Sequence, residues 1–147
     1  MLTGILLAMG LLPLLLGLLL NRCMMTLATV TPVFLGAAVL LLVLWAAVSF
    51  WAVRSGAGAG KVLLFQHLLP LLDLAFVGFQ NLVLGSYLPN APGIWSQLYY
   101  LPLMDLGFRL TRGKVSMVLA YGACFLLLAA ASLAGCCLGK KRGGPHV

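Results

Sequence analysis

Residues 62–87, with the sequence VLLFQHLLPLLDLAFVGFQNLVLGSY, decide how the rest of the chain is interpreted. This stretch can cross a bilayer as a helix, since a span needs about 20 predominantly apolar residues. Asp73 would then lie about 16 Å into the helix, near the membrane centre. A carboxylate at that depth costs about 2.5–3.5 kcal/mol on insertion scales. We therefore expect Asp73 to face protein or water and not lipid.

The composition places most of the chain in a membrane. Of its 147 residues, 63% are hydrophobic and 7% are charged, whereas globular domains average roughly 45–50% and 25%. A soluble domain of this length has too little interior to bury so much apolar side chain. The sequence predicts an all-α integral membrane protein, a single transmembrane domain (1–147) forming a bundle of four helices at about 2–20, 32–53, 62–87 and 115–138.

The third span carries a polar stripe and a proline. Gln66, Asp73 and Gln80 recur every seven residues, so they share one helix face, and Asn81 adjoins them. Pro70 cannot donate to the carbonyl of Gln66 and predicts a helix kink that opens this carbonyl beside the stripe. Two interpretations stay open: a path for ions or protons, or hydrogen bonds that hold the helices together. His67 we expect at the membrane edge.

Residues 94–112 are too polar, and too interrupted by Pro102 and Gly107, to form a good span. The segment predicts a short interfacial or re-entrant helix between the third and fourth spans. Its aromatic and charged side chains are the candidates for docking a partner: Trp95, Tyr99, Tyr100, Asp105, Arg109 and Arg112.

Small residues predict close helix contacts in two spans. Gly10 and Gly17 share one face of the first span. In the fourth span, Ala131, Gly135 and Gly139 follow one another at four-residue spacing. Such positions let two helix backbones approach each other, although an Ala-rich helix contains such pairs by chance.

The net charge of +7 comes from basic residues near the ends of apolar runs. Anionic lipid headgroups select cations at those places, so we expect no nucleic-acid partner. The predicted membrane-end anchors are Trp45, Trp51, Arg54, Lys140, Lys141 and Arg142, the last three in a basic tail (139–147). With four spans, both termini share a side, and five Lys and Arg against four slightly favour a cytoplasmic location for them. The Leu/Gly/Ala-rich spans suit a bacterial cytoplasmic (plasma) membrane.

The sequence contains no catalytic constellation. Its two His and two Asp are scattered, and its four Cys form no CxxC pair, so we expect no enzyme activity, metal site or cofactor. The favoured function is a non-enzymatic subunit or accessory factor of a membrane assembly. Its expected partners are the lipid bilayer and itself or another membrane protein. The alternative is a small oligomeric transporter or channel that uses Asp73.

Overall fold

A computed structural model describes residues 2–26, 31–86, 88–111 and 116–141. This part of the chain is helical and contains no strand. Four helices are long and apolar enough to cross a membrane, which confirms the predicted fold class. In chain order, the helices are α1 (Leu2–Met24), α2 (Thr31–Arg54), α3 (Ala59–Leu82), α4 (Ala91–Tyr99), a 3-10 turn (Leu101–Leu103), α5 (Met104–Leu110) and α6 (Met117–Lys141).

The third span ends earlier than the predicted boundary at residue 87. Helix α3 stops at Leu82, and Gly85 follows with a left-handed φ of 65°. The backbone N–H of Leu88 then donates to Oε1 of Gln80 at 2.8 Å. This bond brings the chain back toward α3. Val83 and Leu84 therefore lie outside the helix, although they continue the apolar run.

A buried cluster at one end of the bundle fixes the directions of the four long helices. Leu6, Ala52, Val62 and Cys136 pack together there. They lie near the start of α1, the end of α2, the start of α3 and the end of α6. Helices α1 and α3 therefore run in one direction, and α2 and α6 in the other. We call this end, which holds the first and last described residues, the terminal end.

The most extensive helix pairing is between α2 and α6, which run parallel. A Cβ at Gly135 would collide with the carbonyl oxygen of Ala46 and lie 2.9 Å from Cβ of Ser49. A Cβ at Gly139 would lie 3.0 Å from the carbonyl oxygen of Phe50. The small-residue contact predicted for the fourth span is therefore confirmed, and its partner is α2.

Residues 91–111, which follow α3 and precede α6 in the chain, form a helical hairpin, here called the central hairpin, that packs against all four long helices. Asn90 caps its first helix, with Oδ1 accepting from the N–H of Gly93 at 3.0 Å. Helix α4 packs on α1 and α3, the 3-10 turn packs on α1 and α2, and α5 returns along α6. Gly17 lies directly against the Leu98 carbonyl, where a Cβ would collide. Of the two predicted forms, interfacial and re-entrant, the structure has the re-entrant one.

Candidate functional site

The tip of the central hairpin is anchored to the middle of two long helices. The hydroxyl of Tyr99 donates to the carbonyl oxygen of Gly10 in α1. The hydroxyl of Tyr100 donates to the carbonyl oxygen of Pro70 in α3 at 2.7 Å. Both tyrosines are buried, with 4% and 0% of their surface exposed. The tip therefore lies deep inside the bundle, at the level of the proline in α3.

Asp73 lies one helical turn beyond Pro70, beside this tip. Its carboxyl is close enough for a charge on it to act on the phenols of Tyr99 and Tyr100. Its Oδ2 is buried and has no hydrogen-bond partner within the described part of the chain. The residue as a whole is only half-buried. The site is therefore a buried carboxyl oxygen without a hydrogen-bond partner, near the middle of a membrane-spanning helix. The residue that carries this oxygen is itself partly exposed.

The other polar members of the stripe are satisfied by different partners. Gln66 is fully buried, accepts from the hydroxyl of Ser49 at 2.7 Å and donates to the Trp45 carbonyl at 3.1 Å. These bonds join α3 to α2. Gln66 therefore supports the helix-joining interpretation of the stripe.

Gln80 joins α3 to the central hairpin. Its Nε2 donates to the hydroxyl of Ser96 at 3.0 Å, and its Oε1 accepts from the N–H of Leu88. The Ser96 hydroxyl donates onward to the Gly93 carbonyl at 2.9 Å. Gln80 thus holds the first arm of the hairpin in place, and among the three stripe residues the unpartnered buried oxygen belongs to Asp73.

His67 and Trp45 occupy different places from those predicted. Trp45, predicted as a membrane-end anchor, is fully buried because its face of α2 turns inward, and its indole N–H donates to Nε2 of His67 at 3.4 Å. His67, predicted at the membrane edge, is 8% exposed, and its Nδ1 lies 3.0 Å from the Leu63 carbonyl. An indole N–H can only donate, so the imidazole is the neutral tautomer with its proton on Nδ1. Both side chains therefore pack inside the bundle and not on its surface.

The predicted docking residues of the hairpin separate into buried and exposed sets. Tyr99 and Tyr100 are unavailable to a partner, because their rings and hydroxyls are used within the bundle. Trp95 is exposed, and Nε of Arg109 lies 3.0 Å from the Asp105 carboxylate in an intrahelical ion pair. Arg112 lies outside the described residues.

The remaining sequence candidates lie at or near helix ends. Asn81 is half-buried near the end of α3. Trp51, Arg54 and Lys140 are exposed near the terminal end, and Lys141 is the last residue of α6. Arg142 falls beyond the described part of the chain.

Sequence reasoning missed the small hydroxyl residues that complete the polar contacts. Ser49 and Ser96 each bind a glutamine of α3. The available signal for Ser49 was its polar side chain within an otherwise apolar run, Val33 to Val53. In α6, Ser132 is also buried, and its hydroxyl has no partner among the described residues.

Within the described residues, no three His, Cys, Asp or Glu side chains are grouped so that they could hold a metal ion. No family model, curated protein or solved structure matches this chain.

Proposed function

We propose that this protein moves protons across its membrane and that Asp73 binds the proton. The observation that carries the proposal is the buried, unpartnered Oδ2 of Asp73 beside the hairpin tip. A carboxyl group without a fixed cation or donor can exchange a proton without breaking an existing bond. Intramembrane carboxylates that face the protein interior commonly mark ion paths or proton relays.

The surroundings of Asp73 favour a proton over a larger cation. The titratable groups near the hairpin tip are the phenols of Tyr99, Tyr100 and Tyr121 and the thiol of Cys124. All four side chains are buried. A metal ion would need several oxygen ligands arranged around it, whereas a proton needs one carboxyl oxygen.

The small-residue faces and the described part of segment 94–112, both predicted from the sequence as contact surfaces, make their contacts largely within this chain. Gly17 contacts the hairpin, Gly135 contacts α2, and the hairpin packs against all four long helices. These contacts weaken the argument for an accessory subunit. Among the described residues they leave two buried polar side-chain atoms without a partner, Oδ2 of Asp73 and the Ser132 hydroxyl, and Asp73 is the acidic one.

Proton flux through purified protein in liposomes tests the proposal. The liposomes contain a pH-sensitive dye, and a potassium diffusion potential is applied across their membrane. We expect wild-type protein to change the pH of the lumen in the direction in which the potential drives protons. Asp73→Asn should reduce the rate to that of protein-free liposomes. Asp105→Asn is the matched control, because Asp105 is the other acidic residue and lies in an intrahelical ion pair. Equal flux through wild-type and Asp73→Asn protein would refute the proposal.

A second candidate function is the non-enzymatic subunit of a membrane assembly, and one observation favours it. An apolar groove of about 580 Å³ opens on the outer surface between α3 and α6, lined in part by Leu74, Gly122 and Leu126. A helix of another protein could pack there. Mass determination of the complex extracted in a mild detergent tests the subunit function. A different protein that is bound to wild type in a fixed ratio, and that is absent from the Gly122→Trp variant, would support it.

A further inference from the structure

We propose that the terminal end of the bundle binds anionic phospholipid headgroups through Arg54, Lys61 and Lys140. This inference is independent of proton movement at Asp73. It rests on where the fold brings Lys140, which lies far in the sequence from Arg54 and Lys61.

The three cations flank one buried cluster. Arg54 ends α2, Lys61 lies in the first turn of α3, and Lys140 lies in the last turn of α6. Val62, next to Lys61, belongs to the cluster with Leu6 and Cys136, and Val53, next to Arg54, packs against that cluster. Gly139, next to Lys140, packs directly on Val53. The fold therefore gathers the three cations around the same end of the bundle, and all three are exposed.

No acidic side chain opposes this charge. The chain contains only two acidic residues. Asp73 lies in the interior of α3, and Asp105 lies in α5, which packs near the start of α6 and so toward the opposite end. Asp105 is also paired with Arg109. Repulsion among uncompensated cations is relieved by anions from outside the chain.

The surroundings of the cations fit a lipid interface. The guanidinium of Arg54 lies 5.8 Å from the centre of the Phe50 ring, and the Trp51 ring is 47% exposed beside it. Leu64 and Leu138, within one helical turn of Lys61 and Lys140, are 61% and 55% exposed and form part of the apolar outer surface. Amphipathic aromatic rings between an apolar belt and cations are typical of the headgroup level. A lipid can therefore place its tails on the belt and its phosphate among the cations.

Native mass spectrometry of the purified full chain tests the proposal. The protein is exchanged into micelles that contain equal amounts of phosphatidylglycerol and phosphatidylcholine, and the lipids that stay bound are counted. We expect enrichment of phosphatidylglycerol by about fivefold for each cation that contacts a headgroup. The triple variant Arg54→Gln, Lys61→Gln, Lys140→Gln should lose this enrichment.

Two controls separate headgroup binding from altered folding. The charge-preserving triple variant Arg54→Lys, Lys61→Arg, Lys140→Arg should keep the enrichment, and so should Arg22→Gln at the opposite end. Circular dichroism should show the same helix content in all variants, and each single Gln substitution should remove part of the enrichment. Two results would overturn the proposal. In the first, wild-type protein retains the two lipids in the proportion in which they were mixed. In the second, the triple Gln variant enriches phosphatidylglycerol as wild type does.

Discussion

Tyr100 connects the hairpin tip to α3 through one hydrogen bond whose loss can be measured. In Tyr100→Phe the ring remains, but the Pro70 carbonyl loses its donor at 2.7 Å. We expect the free energy of unfolding to fall by about 1 kcal/mol, the usual net contribution of one buried hydrogen bond, because the carbonyl keeps its place in the hydrogen-bond ladder of α3. Thermal unfolding in detergent measures the change. Trp95→Phe, at an exposed ring of the same hairpin, is the control and should have little effect.

Gln66 and Asp73 lie on one face of α3 but should respond to mutation in opposite ways. Gln66→Leu removes two interhelical hydrogen bonds and should cost about 1 kcal/mol of stability, the usual scale for such bonds in membranes. It should leave proton flux measurable. Asp73→Asn breaks no hydrogen bond at Oδ2, so it should abolish flux with a smaller loss of stability.

Unfolding and flux measured on the same two preparations would check this contrast. If Asp73→Asn destabilised the protein more than Gln66→Leu did, Asp73 would have a mainly structural role.

At this scale, the sequence identified the stripe but not the partners of its members. Seven-residue spacing places Gln66, Asp73 and Gln80 on one face, because it depends on helix geometry alone. Which of them is satisfied depends on Ser49 and Ser96, whose positions are set by tertiary packing. The burial of Trp45 was missed for the same reason. An aromatic residue toward one end of a span is typical of an anchor, but its face of α2 is buried.

Helix pairing depends on positions where a side chain cannot fit, and Gly135 is the clearest of these. Gly135→Ala would place a methyl group against the Ala46 carbonyl and Ser49. Separating α2 from α6 should cost about 1–3 kcal/mol, the usual range for overpacking. Gly122→Ala is the matched control on the same helix, because a Cβ there meets no atom within 4 Å.

Unfolding of both variants in detergent would test the pairing. A Gly135→Ala protein as stable as Gly122→Ala would contradict the close approach of α2 and α6.

The four spans were predictable because each is an apolar run of sufficient length, and length and hydropathy are local properties. The central hairpin was less predictable from the sequence. Its polar residues and its two interruptions, Pro102 and Gly107, excluded a full span, but an interfacial and a re-entrant segment have similar compositions. The choice between them depends on long-range contacts, such as Tyr99 with Gly10, that no local pattern contains.

The whole molecule has two unlike ends, and native cysteines report on both. Cys137 is exposed near the terminal end, and Cys23 is half-buried at the opposite end. If cations gather on the cytoplasmic side, a membrane-impermeant maleimide should label Cys23 and spare Cys137 in intact cells. Permeabilised cells should show labelling of Cys137. Single-cysteine variants make the assignment unambiguous, and labelling of Cys137 in intact cells would reverse the orientation.

The central claim for the whole molecule is that Asp73 takes up and releases a proton inside the membrane. Infrared difference spectroscopy of the reconstituted protein during a pH change tests this most directly. We expect the signal of a protonated carboxyl group to appear at low pH and vanish reversibly at higher pH, in wild type and in Asp105→Asn. The carboxyl band that wild type and Asp105→Asn share should be absent from Asp73→Asn. A signal that persists in Asp73→Asn and vanishes in Asp105→Asn would contradict the account.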